Sequence, residues 1–279
     1  MNPHKSAVAT ASSILTVLAH SSAPFLSTFL LVHLSVPIAA NIGGSGLASS
    51  VLLLGREYYQ TPFRERYLLL LPFAVHVTSN IAKRIVLTLA PASPPLSNDA
   101  SDSTTAEQRN EPKCPLPTRR IRKFTSLLSI SAYTALLIFV PIHVITHRLL
   151  PAEAPVPLSL TGSPVNSDVD IDPVGPSELD FEFVKTALHT WPWRSWVLYA
   201  GVVGCVLVHA VEGVSVILAQ QGGGRGRLSS GRKRRIGTML AGTLTLTGLF
   251  TLSKEPILVL SSLVGRYQGT LMRSWVYRL

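Results

Sequence analysis

Long apolar runs separated by polar, breaker-rich stretches dominate the chain, and their lengths predict five membrane-spanning helices. The first runs from about Ser13 to Ile42, with Pro24 and Pro37 inside it. A Gly/Ser cluster at 43–46 follows, then the apolar run Leu47–Leu54, too short to span and therefore expected to lie interfacial or re-entrant. It ends in Gly55-Arg56-Glu57-Tyr58-Tyr59, whose charges and tyrosines suit a membrane surface. Further spans are predicted at about Leu68–Leu89, Phe124–His147, 195–219 and Ile236–Leu252. Trp191, Trp193 and Trp196 mark the interface before the fourth, and Lys254-Glu255-Pro256 stops the fifth. The apolar run Ile257–Val264 is again too short to cross.

The predicted fold is thus all-α, a polytopic membrane helix bundle of about five transmembrane helices. A first helix pair occupies 1–90 and a polar, basic linker with the composition of disorder occupies 91–123. Helices three to five fill 124–264, interrupted by an acidic Pro-rich loop at 151–194 and a Gly/Arg loop at 222–235, and 265–279 reads as a basic C-terminal tail. A weak internal repeat also shows. Spans one and two, and again three and four, read as a helix with one histidine, an excursion, then a second helix with one histidine. A two-helix unit used twice would set related histidines around a pseudo-two-fold axis along the membrane normal.

Composition agrees: of 279 residues 47% are hydrophobic and 14% charged, with mean hydropathy +0.33, whereas a soluble domain carries about 25% charge. The net charge of +10 would fit nucleic acid, but no basic segment is interleaved with aromatics, so no nucleic-acid partner is expected. The basic residues instead crowd the N-terminus, 91–123 and 222–235 with the helix ends bordering them, all on one face of a five-span protein, while the acidic loop takes the other. The positive-inside rule makes the first face cytosolic. Cys114 in a polar loop and Cys205 in an apolar helix do not read as a disulfide. No Asn-x-Ser/Thr acceptor occurs, and with Arg56 the first arginine no Arg-rich presequence is expected.

The chemistry lies inside the spans. His33, His76, His143 and His209 fall one per helix in the first four, and ionisable groups at such depth usually face a bundle interior. Imidazoles from facing helices can ligate a haem iron axially; the alternative is that they cement helices by hydrogen bonds. Counting rise from the predicted span ends puts His33 and His76 both roughly 12–14 Å from the loop between them. These two are therefore the preferred ligand pair for haem b, the only metal role expected, with His143 and His209 the second pair. Glu212, three residues after His209 on the same helix face, would orient that ring or relay a proton. Ser79, Asn80 and Arg84 follow His76 as supporting residues; Lys83 and Arg84 would snorkel to the basic face or bind haem propionate or lipid phosphate. His147 reads as an interfacial helix-end residue. No hydrolase, zinc-protease or phosphate-loop motif occurs, so no catalytic residue and no enzyme activity are expected. A cytochrome b-like electron-transfer anchor and a small transporter relaying protons through Glu212 and His209 stand as alternatives.

Several short motifs carry a resemblance. Phe29-Leu-Leu-Val-His33, Leu54-Gly-Arg-Glu-Tyr-Tyr59, Pro72-Phe-Ala-Val-His76 with Ser79 and Arg84, Pro141-Ile-His143 before His147-Arg-Leu-Leu-Pro151, and Val208-His209 before Glu212-Gly213 are similar to the fungal mitochondrial outer-membrane proteins identified as high-copy suppressors of a lost ER–mitochondria tether. The resemblance covers nearly the whole hydrophobic part. It implies a multi-pass protein of the mitochondrial outer membrane acting in lipid homeostasis, with membrane lipids and a lipid-transfer protein at organelle contact sites as partners and a link to haem. The His-in-helix, His-x-x-Ser plan also resembles succinate-dehydrogenase-type cytochrome b membrane anchors.

Overall fold

A computed structural model describes residues 3–89, 126–153, 174–176, 178–221 and 231–278. The predicted linker, the Pro-x-Pro elements at 115–117 and 155–157, Cys114 and residues 222–230 of the Gly/Arg loop lie outside them. The described residues are helical, with no strand among them. The first helix, α1, runs Pro3–Tyr59. The second, α2, spans 62–89 and the third, α3, is Leu127–Ala152. A short α4 (Phe181–Thr190) precedes α5 (Pro192–Gln221) and α6 (Gly231–Lys254), and α7 (Ser261–Met272) and α8 (Trp275–Arg278) close the chain. Four of these, α1, α3, α5 and α6, are long and apolar enough to cross a membrane. The predicted second span is helical as expected but is not among the four, because His76, Asn80, Lys83 and Arg84 interrupt it. It packs antiparallel along α1.

The run Leu47–Leu54 is no separate excursion. It continues α1, which bends at Gly43 and Gly44 and turns back only at residues 60–61. Gly44 has φ +57°, a conformation that disfavours any side chain, and a Cβ there would fall against the Glu255 carboxylate. That carboxylate caps the second arm of α1, accepting from the Ser45 amide at 3.1 and 3.2 Å.

Prolines inside α2 and α3 are absorbed by a repeated device. The residue before Pro72, before Pro141 and before Pro151 donates its amide five residues back, Leu71 to Arg66, Val140 to Ala135 and Leu150 to Ile145. A proline removes one helical bond and presses on the turn before it. The wider π-type turn relieves that pressure without breaking the helix.

The helices alternate in direction, giving a basic face (start of α1, end of α2, start of α3, end of α5, start of α6) and an opposite face. On that opposite face the C-terminal residues are a packed cap rather than a tail, and the end of the predicted acidic loop is the buried helix α4. Tyr267, Leu271 and Tyr277 are almost fully buried against Val174, Phe183 and Ala187. Arg266 clasps Glu178 at 2.8 and 2.9 Å, and the Tyr267 hydroxyl donates to the Glu178 carbonyl. Arg148 clasps Glu65 at 2.9 and 2.7 Å, tying α3 to α2.

Acid should loosen this cap. Arg266 and the Gly175 amide hold the Glu178 carboxyl below its ordinary value of 4.5. Burial pushes Glu255 up, but the Ser45 hydroxyl and amide and Lys185 outweigh it and hold that carboxyl low as well. A carboxyl whose folded pKa is depressed adds stability above its unfolded pKa and loses it as pH falls through the folded value. Thermal melting in detergent should therefore move to lower temperature as pH drops below about 4.5, less steeply in Arg266→Gln. An equal acid limb in that variant would show that the Glu178 pair does not contribute.

Candidate functional site

Four helices each bring one histidine into the bundle: α1 His33, α2 His76, α3 His143 and α5 His209. Every ring is half-buried, so each borders an interior gap. The structure pairs His33 with His143, ring centres 5.8 Å apart and planes at 79°, and His76 with His209, 6.1 Å apart at 83°. These pairs join equivalent positions of the two-helix repeat, as two-fold-related residues meeting at their axis would.

The pairing by depth is overturned. The His76 Nδ1–H donates to the Ala19 carbonyl at 3.1 Å and lies 3.2 Å from the Ser22 hydroxyl. Ala19 precedes His33 by fourteen residues, about 21 Å of helix, so His33 and His76 cannot share a ligand. The count failed because it began at Gly43, whereas the chain reverses at residues 60–61. His143 and His209, expected together, consequently belong to different pairs.

The upper pair, toward the capped face, is aromatic. Phe29 stacks on His33 at 5.3 Å and Tyr59 meets it edge-on at 6.5 Å. His147 lies 4.7 Å from His143, and its Nε2 is 3.3 Å from the Tyr199 hydroxyl. So His147 belongs to the site and not to the interface; its position four residues after His143 puts it on the same helix face, and that spacing was the available signal. A cavity of about 220 Å³, lined by His143, Thr146, His147, Tyr199 and Tyr277 among others, opens beside it. This is small next to the 300–1,000 Å³ or so of organic-ligand pockets. Pro37, four residues after His33, removes the amide that the His33 carbonyl would accept.

Small side chains surround the lower pair: Ala19, Ser22, Ser79, Ser129 and Ser131 are all buried. Ser79 thus lies in the interior as expected, and Arg84 donates to the Ser129 hydroxyl at 2.8 Å. Glu212 does not hold His209. It faces Arg234, 3.6 Å away, because that arginine at the start of α6 reaches across to α5. A His209 ring nitrogen meets the Leu128 carbonyl instead.

The donor chemistry fits a macrocyclic iron. With its proton on Nδ1 and engaged by Ala19, His76 presents a lone pair on Nε2, the arrangement of a ligand oriented by its other nitrogen. In each pair one further imidazole nitrogen, Nδ1 of His33 and Nδ1 of His209, is buried without a hydrogen-bond partner among the described residues, which costs about 1–3 kcal/mol where nothing satisfies it. Among the described residues no three His, Cys, Asp or Glu side chains converge on a bare ion. The donors come in twos, the number that a macrocycle leaves to the protein. Comparison of the chain with protein-family models, with curated proteins and with solved structures finds no match.

Proposed function

We propose that this membrane protein binds two haem b groups, one between His33 and His143 and one between His76 and His209, and carries electrons between the two halves of the bilayer. The observation that supports it is the pairing itself: two imidazole couples from facing helices, each with ring centres about 6 Å apart, set one above the other by roughly 21 Å along α1. A hydrocarbon core is about 30 Å thick, so each pair occupies its own half. Bound there, haem would supply a one-electron couple. The chain's residues hold the rings: Ala19 and Ser22 fix His76, Phe29 and Tyr59 brace His33, and Tyr199 anchors His147 beside His143. The proton-relay transporter loses support, since Glu212 is engaged by Arg234. The setting in the mitochondrial outer membrane and the role in lipid homeostasis rest on the short motifs that carry the resemblance, and we propose them on that ground alone.

Reconstitution with haem and a count of haem per chain tests the reading. Two per chain are expected. His33→Ala and His143→Ala should each remove the same one, His76→Ala and His209→Ala the other, and His143→Ala with His209→Ala both. Absence of a Soret band would sink the proposal. So would loss of one and the same haem in His33→Ala and His76→Ala.

A further inference from the structure

Two cations flank the lower histidine pair from opposite sides. Lys83 and Arg84 follow His76 by seven and eight residues, two turns along the same face of α2. Being consecutive, their side chains diverge by about 100°. Lys83 swings to α1, where its Nζ lies 2.6 Å from the Thr16 hydroxyl. Arg84 swings to α3, donating to the Ser129 hydroxyl at 2.8 Å and lying 5.1 Å over the Tyr133 ring. Both anchor points sit beside the imidazoles. Thr16 is three residues, about one turn, from Ala19, which holds His76; Ser129 is next to Leu128, which meets His209.

Neither side chain simply snorkels. Both are half-buried and bend inward onto hydroxyls of neighbouring helices. Lys83 makes no salt bridge among the described residues, so its ammonium sits at a membrane boundary against a neutral partner. A buried cation is stabilised chiefly by an anion that it can hydrogen-bond. On the upper pair the corresponding cation is already neutralised, because Arg148 clasps Glu65.

We infer that Lys83 and Arg84 form a two-point carboxylate site for the lower haem. Its two propionates turn toward the basic face, one received by Lys83 beside α1 and the other by Arg84 beside α3. This rests on the haem reading and adds an orientation and an affinity rule to it. The lower site discriminates free-acid from esterified porphyrin, and the upper site, with its arginine occupied, does so less.

The test uses the full chain carrying His143→Ala, so that the Soret band reports the lower site alone. It is titrated with iron protoporphyrin IX and with its dimethyl ester. The free acid should bind about tenfold or more tightly than the ester, since a charge-assisted bond is lost at each point. Lys83→Gln and Arg84→Gln should each weaken the free acid by about tenfold and leave the ester nearly unchanged. The midpoint potential of the bound haem should also move negative, because removing a neighbouring cation disfavours the reduced form. Equal binding of acid and ester by the unsubstituted site would overturn the inference with the haem reading intact, and needs no variant to fold. Variants that change binding to anionic-lipid vesicles but leave the haem titration alone would assign the cations to lipid phosphate, and overturn it too. Absence of any Soret band in the parent would remove both readings together.

Discussion

Lys185→Met should cost the protein about 3–5 kcal/mol, the range for breaking a buried ion pair from one side. The lysine is completely buried on α4. Its Nζ lies 2.7 Å from Glu182 and 3.5 Å from Glu255. Both carboxylates are committed elsewhere as well, Glu182 to the Leu258 amide at 3.0 Å and Glu255 to the Ser45 amide. Three segments therefore converge on one ammonium: α4, the chain after α6, and the second arm of α1. Methionine fills the volume but leaves two carboxylates facing each other in an apolar setting. The expected result is a large fall in melting temperature in detergent, with a reversed pH response. In the variant, burial and mutual repulsion raise the folded-state carboxyl pKa values, and a group so raised binds protons better folded than unfolded. Melting temperature should consequently rise as pH falls from 8 to 5, where the parent shows no such gain. Adding Glu182→Gln should recover part of the loss by removing one of the two charges. A Lys185→Met protein that melts like the parent at pH 8 would show that the cluster adds no net stability.

None of that cluster was visible in the chain. Glu182 was counted in an acidic loop and Glu255 as a stop signal, because their partner comes from a helix of only ten residues and their targets are amides more than 70 and 200 positions away. Local pattern carries no information about such contacts. Hydrophobic run length does carry information, which is why the helix bundle, the approximate spans and the identity of the four inward histidines were legible. Their pairing was not. It depended on where the chain reverses, and the Gly/Ser cluster at 43–46 imitates a turn while residues 60–61 make the real one with ordinary residues. A kink and a turn share the same glycine chemistry; only the continuation of α1 past Gly44 distinguishes them. The internal repeat was the better guide to the pairing, since symmetry relates equivalent positions whatever the loop lengths. Glu212 misled for a further reason: its nearer neighbour in sequence is His209, but an arginine on the next helix competes for it and carries a full charge.

Gly248→Ala should be nearly as damaging as the loss of Lys185, at about 3 kcal/mol for overpacking against a contact that cannot yield. A Cβ on Gly248 would fall on the carbonyl oxygen of Pro37, with the carbonyl carbon only 2.7 Å away and the Asn41 amide nitrogen at 3.1 Å. The obstacle is the backbone of α1, so relief requires α6 to move away from it. That movement would break the bond from Asn41 Nδ2 to the Leu244 carbonyl, 2.8 Å long, which ties the two helices at the same level. Gly242→Ala is the matched control. It lies on the same helix, and its Cβ would meet only Leu207 at 3.7 Å, an ordinary contact. Helix propensity favours alanine over glycine by up to about 1 kcal/mol, so Gly242→Ala should be neutral or stabilising while Gly248→Ala melts far below the parent. Position makes the effect selective. Pro37 is one turn beyond His33, whereas the lower pair is anchored at Ala19, about 27 Å further down α1. Gly248→Ala should therefore weaken the haem that depends on His33 and His143 and leave the His76–His209 haem in place, a difference read as one retained haem per chain. Equal retention of both, with an unchanged melting temperature, would mean that α1 and α6 do not pack at Gly248 as the structure places them.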